Sequence, residues 1–479
     1  MTPPGAAAAA AQAAAAAPPW TWYFLPRAHD SGGNQVTLLR GGAELFPAMA
    51  AAIATARDEV WLATYIFHTD ASSLALVSSL CEAARRGVRV HVVVDGFGSL
   101  HSARVLRELF EPAGVRLAVF RPLRRLAHWF NPGQLRRQHM KLCVVDAATA
   151  FVGGINVIDD HIDLRHGHSE QPRLDYAAQV RGPAAAAVCQ AVRAVWSRAY
   201  IGRQWRREVT RLLQRGASDA APPSAGGPGV AGGQPPVDPL AADRPPADPP
   251  PARGRLRWLR QQMRQLQVVL GRPHRGAAAS AALVPVHTCF IVRDNLRQRR
   301  SIERTYVDAI RAARRRILIV CPYFYPGGEF RRALCDAARR GVQVQLLLQG
   351  KLDYRLAGLA AHALYDELLR AGVAIFEYTP AFLHAKVAVV DEAWATVGSS
   401  NIDPLSLLLN LEANLVVHDA GFCAHLAGQL QLDLAVSRRV DEPAAHHQGW
   451  RGWAGLVRRG LVAWVAHVYL RVAGVTGRY

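Results

Sequence analysis

The sequence predicts an α/β fold made of two duplicated lobes, and three observations carry that prediction. A β-α-β order occurs twice. Glu82-Ala83-Ala84-Arg85-Arg86-Gly87-Val88 runs into Arg89-Val90-His91-Val92-Val93-Val94. Asp336-Ala337-Ala338-Arg339-Arg340-Gly341-Val342 runs into Gln343-Val344-Gln345-Leu346-Leu347-Leu348. In each copy a helix of small residues ends on basic side chains and a capping glycine, and a buried strand begins at once. Upstream, residues 59–67 match residues 316–324 as a further strand following a helix. Between the copies, residues 216–253 are rich in Pro, Gly, Ala and Asp and read as a linker. A repeat this long is a duplicated domain and not a solenoid. Alternating helices and strands predict layers, with one mixed β-sheet per half flanked by helices.

Composition narrows the class. The chain has 479 residues, with 57 Lys plus Arg against 37 Asp plus Glu, a formal charge of +20. Half the residues are hydrophobic, which excludes a chain disordered throughout. Seven scattered cysteines without a CxxC exclude a small disulfide scaffold. Several sit in apolar runs, as Cys143 and Cys321 do, and read as buried free thiols in a reducing compartment. No uncharged apolar run reaches about 18 residues, so no membrane-spanning helix is predicted. The positive balance points to an anionic partner: nucleic acid, an anionic membrane surface or a phosphorylated substrate.

The predicted order of units is a disordered Ala/Pro tail (1–19), a first lobe (20–215), a linker with a basic amphipathic helix (216–282), a second lobe (283–440) and a basic, apolar C-terminus (441–479). No Lys or Arg precedes the Ala run, which argues against a secretory signal. In the linker, Leu256, Leu259, Met263, Leu266 and Val269 recur at helical spacing with Arg255, Arg257, Arg260 and Arg264 between them, a pattern suited to a membrane surface. The C-terminus sets Trp453, Trp464 and Tyr469 among aliphatic residues with Arg458, Arg459 and Arg471, and reads as an interfacial anchor.

The strongest chemical signal comes late in each half. His139, Lys141, Asp146, Gly153 and Asn156 recur as His384, Lys386, Asp391, Gly398 and Asn401. Both sets follow the spacing 0, +2, +7, +14, +17 from the histidine. On a strand, alternate residues share a face, so each His and Lys point the same way. The imidazole can attack or protonate, and the ammonium can hold a phosphoryl oxygen. The Asn adds a neutral donor, and the Gly lets backbone come close to a ligand. Two such sets give a phosphodiester a nucleophile on one side and an acid for the leaving group on the other, with no metal or other cofactor required.

This paired H-x-K-x4-D-x6-G-(G/S)-x-N pattern resembles the phospholipase D superfamily, over residues 20–440 apart from the linker. Around the second motif, Phe382-Leu383-His384-Ala385-Lys386-Val387-Ala388-Val389-Val390-Asp391, followed by Asn401-Ile402-Asp403-Pro404-Leu405-Ser406-Leu407-Leu408-Leu409-Asn410-Leu411-Glu412, resembles the bacterial class B cardiolipin synthases. The resemblance implies one active site at a pseudo-two-fold interface between the lobes. His139 would be the nucleophile, forming a phosphohistidine, and His384 the general acid and then the base; the two duties are exchangeable on sequence alone. Lys141, Lys386, Asn156 and Asn401 would bind phosphoryl oxygens. Asp146 and Asp391 belong to the catalytic motif, with a structural role implied. Asp175 and Glu412 resemble the acids that orient the histidines. The implied reaction is phosphatidyl transfer from one phospholipid, phosphatidylglycerol, to the hydroxyl of another, with a hydrolase or nuclease of the same fold as the alternative. The implied partners are phospholipids and an anionic membrane surface, with no nucleic acid. The implied location is peripheral, at the cytoplasmic face of a bacterial inner membrane. Oligomeric state is not readable.

Two other clusters need a reading. Asp159-Asp160-His161, with Asp163, His166 and His168, fits no standard ligand spacing and reads as a polar rim. Arg121, Arg124, Arg125, Arg136 and Arg137 crowd the approach to His139, with Trp129 and Phe130 between them. They read either as a funnel for anionic headgroups or as a solvated basic loop.

Overall fold

A computed structural model describes residues 28–122, 136–164, 167–200, 286–294, 298–350, 365–403 and 410–440. The tail, the linker with its amphipathic helix, and the C-terminus all lie outside the described residues. So do Arg124, Arg125, Trp129, Phe130 and His166.

The first half contributes β1 (His29–Arg40), β2 (Glu59–Thr64), β3 (Arg89–Asp95), β4 (Arg116–Phe120), β5 (Arg137–Gln138), β6 (Lys141–Val145), β7 (Thr149–Gly153), a small hairpin of β8 (Ile162–Asp163) and β9 (Gly167–His168), and β10 (Tyr176–Arg181). The second half contributes β11 (Val286–Arg293), β12 (Arg316–Val320), β13 (Gln343–Gln349), β14 (Ala374–Tyr378), β15 (Val387–Val390), β16 (Trp394–Gly398), β17 (Asn410–His418) and β18 (Arg438–Val440). The repeat read from the sequence reappears as matching local structure. The helices Ala71–Arg85 and Gly328–Arg339 both end in a glycine with positive φ, Gly87 (93°) and Gly341 (88°). In both, the next amide reaches back across the cap: Val88 to the Ala83 carbonyl and Val342 to the Ala337 carbonyl, each at 3.1 Å. This closure satisfies carbonyls that the helix end leaves open, and it turns the chain straight into β3 and β13.

Each half contributes its own mixed sheet, as expected, and the two are joined edge to edge through β1 and β11. The strands form one continuous mixed sheet in the order β18-β14-β13-β12-β15-β16-β17-β11-β1-β10-β7-β6-β2-β3-β4, with β5 alongside β17. Read outward from the β1–β11 junction, the order is the same in both directions apart from the extra edge strand β18, which is the pseudo-two-fold symmetry of the duplication. The junction is antiparallel, with His29 opposite Phe290 and Ser31 opposite Thr288. Without it both strands would be sheet edges with unpaired amides and carbonyls, which are costly and prone to wrong pairing. Buried Asn34 secures it, donating from Nδ2 to Thr288 Oγ1 (3.1 Å) and accepting the Ala184 amide (3.0 Å).

The core has three layers. Two apolar clusters lie under the outer helices of each half, one around Leu62, Leu80 and Phe110, the other around Ile317, Phe330 and Leu346. The third is shared. It joins Trp61, Val144 and Val180 of the first half to Phe290, Val389 and Leu415 of the second. It is covered by a helix over 184–200 and by the helix Ala420–Ala435. Burying these faces jointly means the halves cannot separate without exposing a core. A polar pin adds to this: Asp433 accepts from Arg40 and from the Tyr176 hydroxyl, both at 2.6 Å. All seven cysteines are free thiols; Cys289 is half-buried and the others are buried.

Asp146 and Asp391 serve turns. Asp146 accepts the amides of Arg57, Asp58 and Glu59 at 2.8–2.9 Å, and Asp391 those of Arg314, Arg315 and Arg316 at 2.9–3.0 Å. Both adopt positive φ (51° and 52°), a conformation Asp tolerates better than most residues. Each sits at the far end of its strand from the motif lysine, roughly 16 Å along a chain rising about 3.3 Å per residue. Grouping them with the catalytic side chains therefore requires correction: they lock the entry of β2 and β12. Asp146→Ala is expected to lower stability by about 2 kcal/mol, since charged hydrogen bonds are lost and a strained φ remains. Urea unfolding, read beside turnover per folded molecule, checks that stability falls and turnover does not.

Candidate active site

Each motif histidine is stitched to the acid-bearing strand of the other half. β5 runs parallel to the start of β17, pairing Arg137 with Asn410 and Gln138 with Leu411, and the His139 amide donates to the Leu411 carbonyl (3.0 Å). That places His139 beside Glu412. In mirror fashion Leu174 bridges Leu383, and the amides of His384 and Ala385 both donate to the Leu174 carbonyl. That places His384 beside Asp175. The resulting contacts are His139 Nδ1 to Glu412 at 3.0 Å and His384 Nδ1 to Asp175 at 2.6 Å. With Nδ1 held, each ring turns Nε2 toward a ligand. The imidazoles keep 12% and 22% side-chain exposure, while the two acids keep 0% and 1%. The reactive groups are thus reachable and their orienting partners are not.

The lysines follow from strand alternation. Lys141 Nζ donates to the carbonyl of His139 (2.7 Å), and Lys386 Nζ to that of His384. Each ammonium has three protons, so two remain for phosphoryl oxygens. Lys141 also lies over the Tyr65 ring, 5.5 Å from its centroid, and that ring packs 4.8 Å from His139. Asn156 and Asn401 are buried after the strands β7 and β16. Asn156 accepts the Ile66 amide through Oδ1 (3.2 Å), which leaves its NH2 as donor.

Burial dominates the electrostatics. It pushes His139 down to about 4, with Glu412 opposing, and His384 well below the ordinary range, aided by Lys386 and Lys141. Burial likewise lowers Lys141 to about 7 and Lys386 to about 8. The acids differ. Burial tends to raise Glu412, but His139, Arg293 and Lys141 outweigh it and hold the carboxyl at about 2. For Asp175, burial wins over Lys386 and the Tyr176 amide, and Asp160 adds to it, giving about 7.

Space around the acids is tight. A Cβ on Gly154 would stand 2.3 Å from Asp175 Oδ1. Gly154→Ala is expected to displace Asp175 from His384 and cost about 100-fold or more in turnover, the scale of a lost orienting group; steady-state rates with circular dichroism as a folding control check it. The same place in the second half holds Ser399, whose hydroxyl bonds Glu412.

The structure thus brings together His139, Lys141, Asp175, His384, Lys386 and Glu412, leaves Asn156 and Asn401 buried just beyond the strands that pair with the motif strands, and sets Asp146 and Asp391 apart. Sequence reasoning missed three participants: Tyr65, Ser399 and Arg293, the last fully buried 3.8 Å from Glu412. Ser399 was visible as the G-S variant of the repeat; the other two gave no local signal. Of the basic cluster, Arg137 is buried against Asp95 (3.3 Å), which also accepts the Gln138 amide, so it braces β5 and is not part of a funnel. In the polar rim, Asp159 accepts the Ser72 hydroxyl, Asp160 accepts the Gly42 amide, and His161 stacks on His168.

A duplicated α/β sheet with two His-Lys-Asn sets meeting at the lobe junction defines a protein of the phospholipase D type. The family profile described as cardiolipin synthase, PLD-like domain, matches residues 49–167 and 306–434. The chain is 35% identical over 419 residues to cardiolipin synthase B of Salmonella typhi, covering 87% of this chain and 85% of that one. The corresponding Escherichia coli protein is 32% identical over the same shares. Cardiolipin synthase A of Pseudomonas putida is 29% identical over 85% of this chain and 69% of its own length. The chain therefore belongs to the cardiolipin synthase family of PLD-like proteins. Among solved structures, phosphatidylserine synthase of Haemophilus influenzae superposes with a TM-score of 0.55 at 12% identity, over 91% of this chain and 94% of that one, a likeness of fold.

Proposed function

We propose that the protein is a cardiolipin synthase working through a covalent phosphohistidine. The crossed His139–Glu412 and His384–Asp175 pairs carry this reading: two oriented imidazoles at one lobe junction, each with its motif lysine beside it. His139 Nε2 attacks the phosphorus of phosphatidylglycerol, and the P–O bond to glycerol breaks as the departing oxygen takes a proton from His384. The hydroxyl of a second phosphatidylglycerol then gives its proton to His384 and attacks the phosphohistidine, releasing cardiolipin. Lys141, Lys386, Asn156 and Asn401 hold the phosphoryl oxygens as charge builds on them. One diester replaces another, so the exchange needs no nucleotide. Acceptor positioning and exclusion of water favour transfer over hydrolysis.

The relatives named cardiolipin synthase B support this substrate choice. The +20 charge suits an anionic lipid surface, which supports peripheral attachment at the cytoplasmic face as part of this reading. Among the described residues no helix is long and apolar enough to cross a membrane. We assign the lobes to 20–215 and 283–440, with 216–282 and 441–479 as the membrane-facing segments.

Incubating purified protein with phosphatidylglycerol vesicles and resolving products by mass spectrometry tests the reading. Cardiolipin plus glycerol supports it. Phosphatidic acid alone would make the protein a hydrolase, and cleavage of DNA without lipid turnover would make it a nuclease. The rate constant kcat/KM should fall as pH rises through 7–8. Protons on Lys141, Lys386 and the Asp175–His384 pair are present below that range and lost above it. A rate profile from pH 6 to 9 checks the direction.

A further inference from the structure

Behind the two orienting acids, the halves differ at a pair of matched positions. β11 ends in Arg293, directly opposite Glu412 in the ladder. The matched place in the first half is Gly41: Arg40 pairs with Tyr176, and the next amide, Gly41, donates to the Asp175 carbonyl (2.9 Å). Gly41 has φ +67°, and a Cβ on it would meet Asp160 Oδ2 at 2.8 Å. The carboxylate of Asp160 is held there by the Gly42 amide (2.5 Å). So where the second half sets a fully buried guanidinium 3.8 Å from its acid, the first half has no side chain and a second carboxylate close by. Ser399 in place of Gly154 reinforces the difference, since its hydroxyl donates to Glu412 and a glycine offers Asp175 no such donor.

We infer that Arg293 and Asp160 assign unequal duties to two otherwise equivalent histidines: Arg293 keeps Glu412 an anion behind His139, the nucleophile, and Asp160 keeps a proton on the Asp175–His384 pair, the acid. The inference rests on the phosphohistidine reading above. When the N–P bond forms, His139 gains positive charge, which a fixed anion at Nδ1 stabilises. When the P–O bond breaks, the glycerol oxygen takes a proton from His384 Nε2, and Asp175 refills the ring through Nδ1. The other groups facing these acids are shared or neutral. Glu412 faces His139, Lys141, Ser399 and Asn410 besides Arg293. Asp175 faces His384, Lys386 and Lys141 besides Asp160. Asp160 in turn faces Asp159, His161 and Arg173, and Arg293 faces Asp403 and Glu303.

The test is kcat/KM on phosphatidylglycerol vesicles from pH 3.5 to 9 for the parent, Asp160→Asn, Arg293→Gln and Arg293→Lys, with alkaline-quenched peptide mapping to find the phosphorylated histidine. Asp160→Asn keeps an acceptor for the Gly42 amide but removes the charge. Its alkaline limb should move down, lowering the ratio of activity at pH 8 to that at pH 6 by about 3–10-fold, the effect of half to one pKa unit. Arg293→Gln should move the acid limb up, and Arg293→Lys should restore it. The phosphate should sit on His139. A folded Asp160→Asn protein with an unmoved alkaline limb overturns the inference, and decides the matter even if Arg293→Gln fails to fold. Phosphate on His384 overturns the assignment of duties while leaving the phosphohistidine reading intact. Absence of lipid turnover and of any phosphohistidine in the parent rejects both.

Discussion

If His139 is the nucleophile and His384 the acid, as proposed, His139→Asn is expected to abolish both lipid turnover and the covalent phosphoenzyme, whereas His384→Asn is expected to stop turnover but still form the phosphoenzyme from a donor with a good leaving group. The contrast follows from the two duties. In the proposed mechanism His139 forms the N–P bond, so its loss removes the covalent step. Without His384 the glycerol oxygen must leave unprotonated, which costs the roughly 10²–10⁴-fold that a positioned general acid supplies. A phosphatidyl p-nitrophenyl diester needs no such help, because nitrophenolate is stable at neutral pH. The His384→Asn protein should therefore release a burst of nitrophenol and then stall. The base that would deprotonate the acceptor hydroxyl is also gone. Stopped-flow absorbance gives the burst, and peptide mapping gives the modified residue. A burst from His139→Asn in place of His384→Asn would exchange the roles.

Much of this site could be read from the chain because its signals are local. His139, Lys141 and Asn156 recur as His384, Lys386 and Asn401 at fixed spacing, and a strand puts the first two on one face whatever surrounds it. The capping of 71–85 and 328–339 by Gly87 and Gly341 was equally local. What escaped the sequence depends on pairing between distant segments. That Glu412 serves His139 and Asp175 serves His384 is decided by β5 lying along β17 and by Leu174 meeting Leu383, contacts more than 200 residues apart in the chain. The merging of two expected sheets into one depends likewise on β1 meeting β11. Arg293 sits at the end of an ordinary-looking strand, and only its register opposite Glu412 gives it meaning. Asp146 and Asp391 show the reverse: a motif position can recur strictly because a turn requires it.

The crossed pairing makes a second large effect predictable. Glu412→Gln keeps the shape of the side chain but offers an NH2 group to His139 Nδ1. The ring would then carry its proton on Nε2, the atom that must attack. A wrong tautomer of this kind costs about 10⁴-fold in a hydrolytic triad, and a loss of 10²–10⁴-fold in kcat with little change in KM is expected here. Asp175→Asn disturbs the other histidine, so its loss falls on proton delivery. With the p-nitrophenyl donor the two variants should separate cleanly. Glu412→Gln, altered in the second half, loses the burst that depends on His139 in the first. Asp175→Asn, altered in the first half, keeps that burst and fails only in turnover. If each acid served the histidine of its own half, the pattern would invert: Asp175→Asn would lose the burst and Glu412→Gln would keep it. With His139 as the proposed nucleophile, the 3.0 Å and 2.6 Å contacts between halves predict the first pattern, and the shared core holding the halves together keeps those contacts in place.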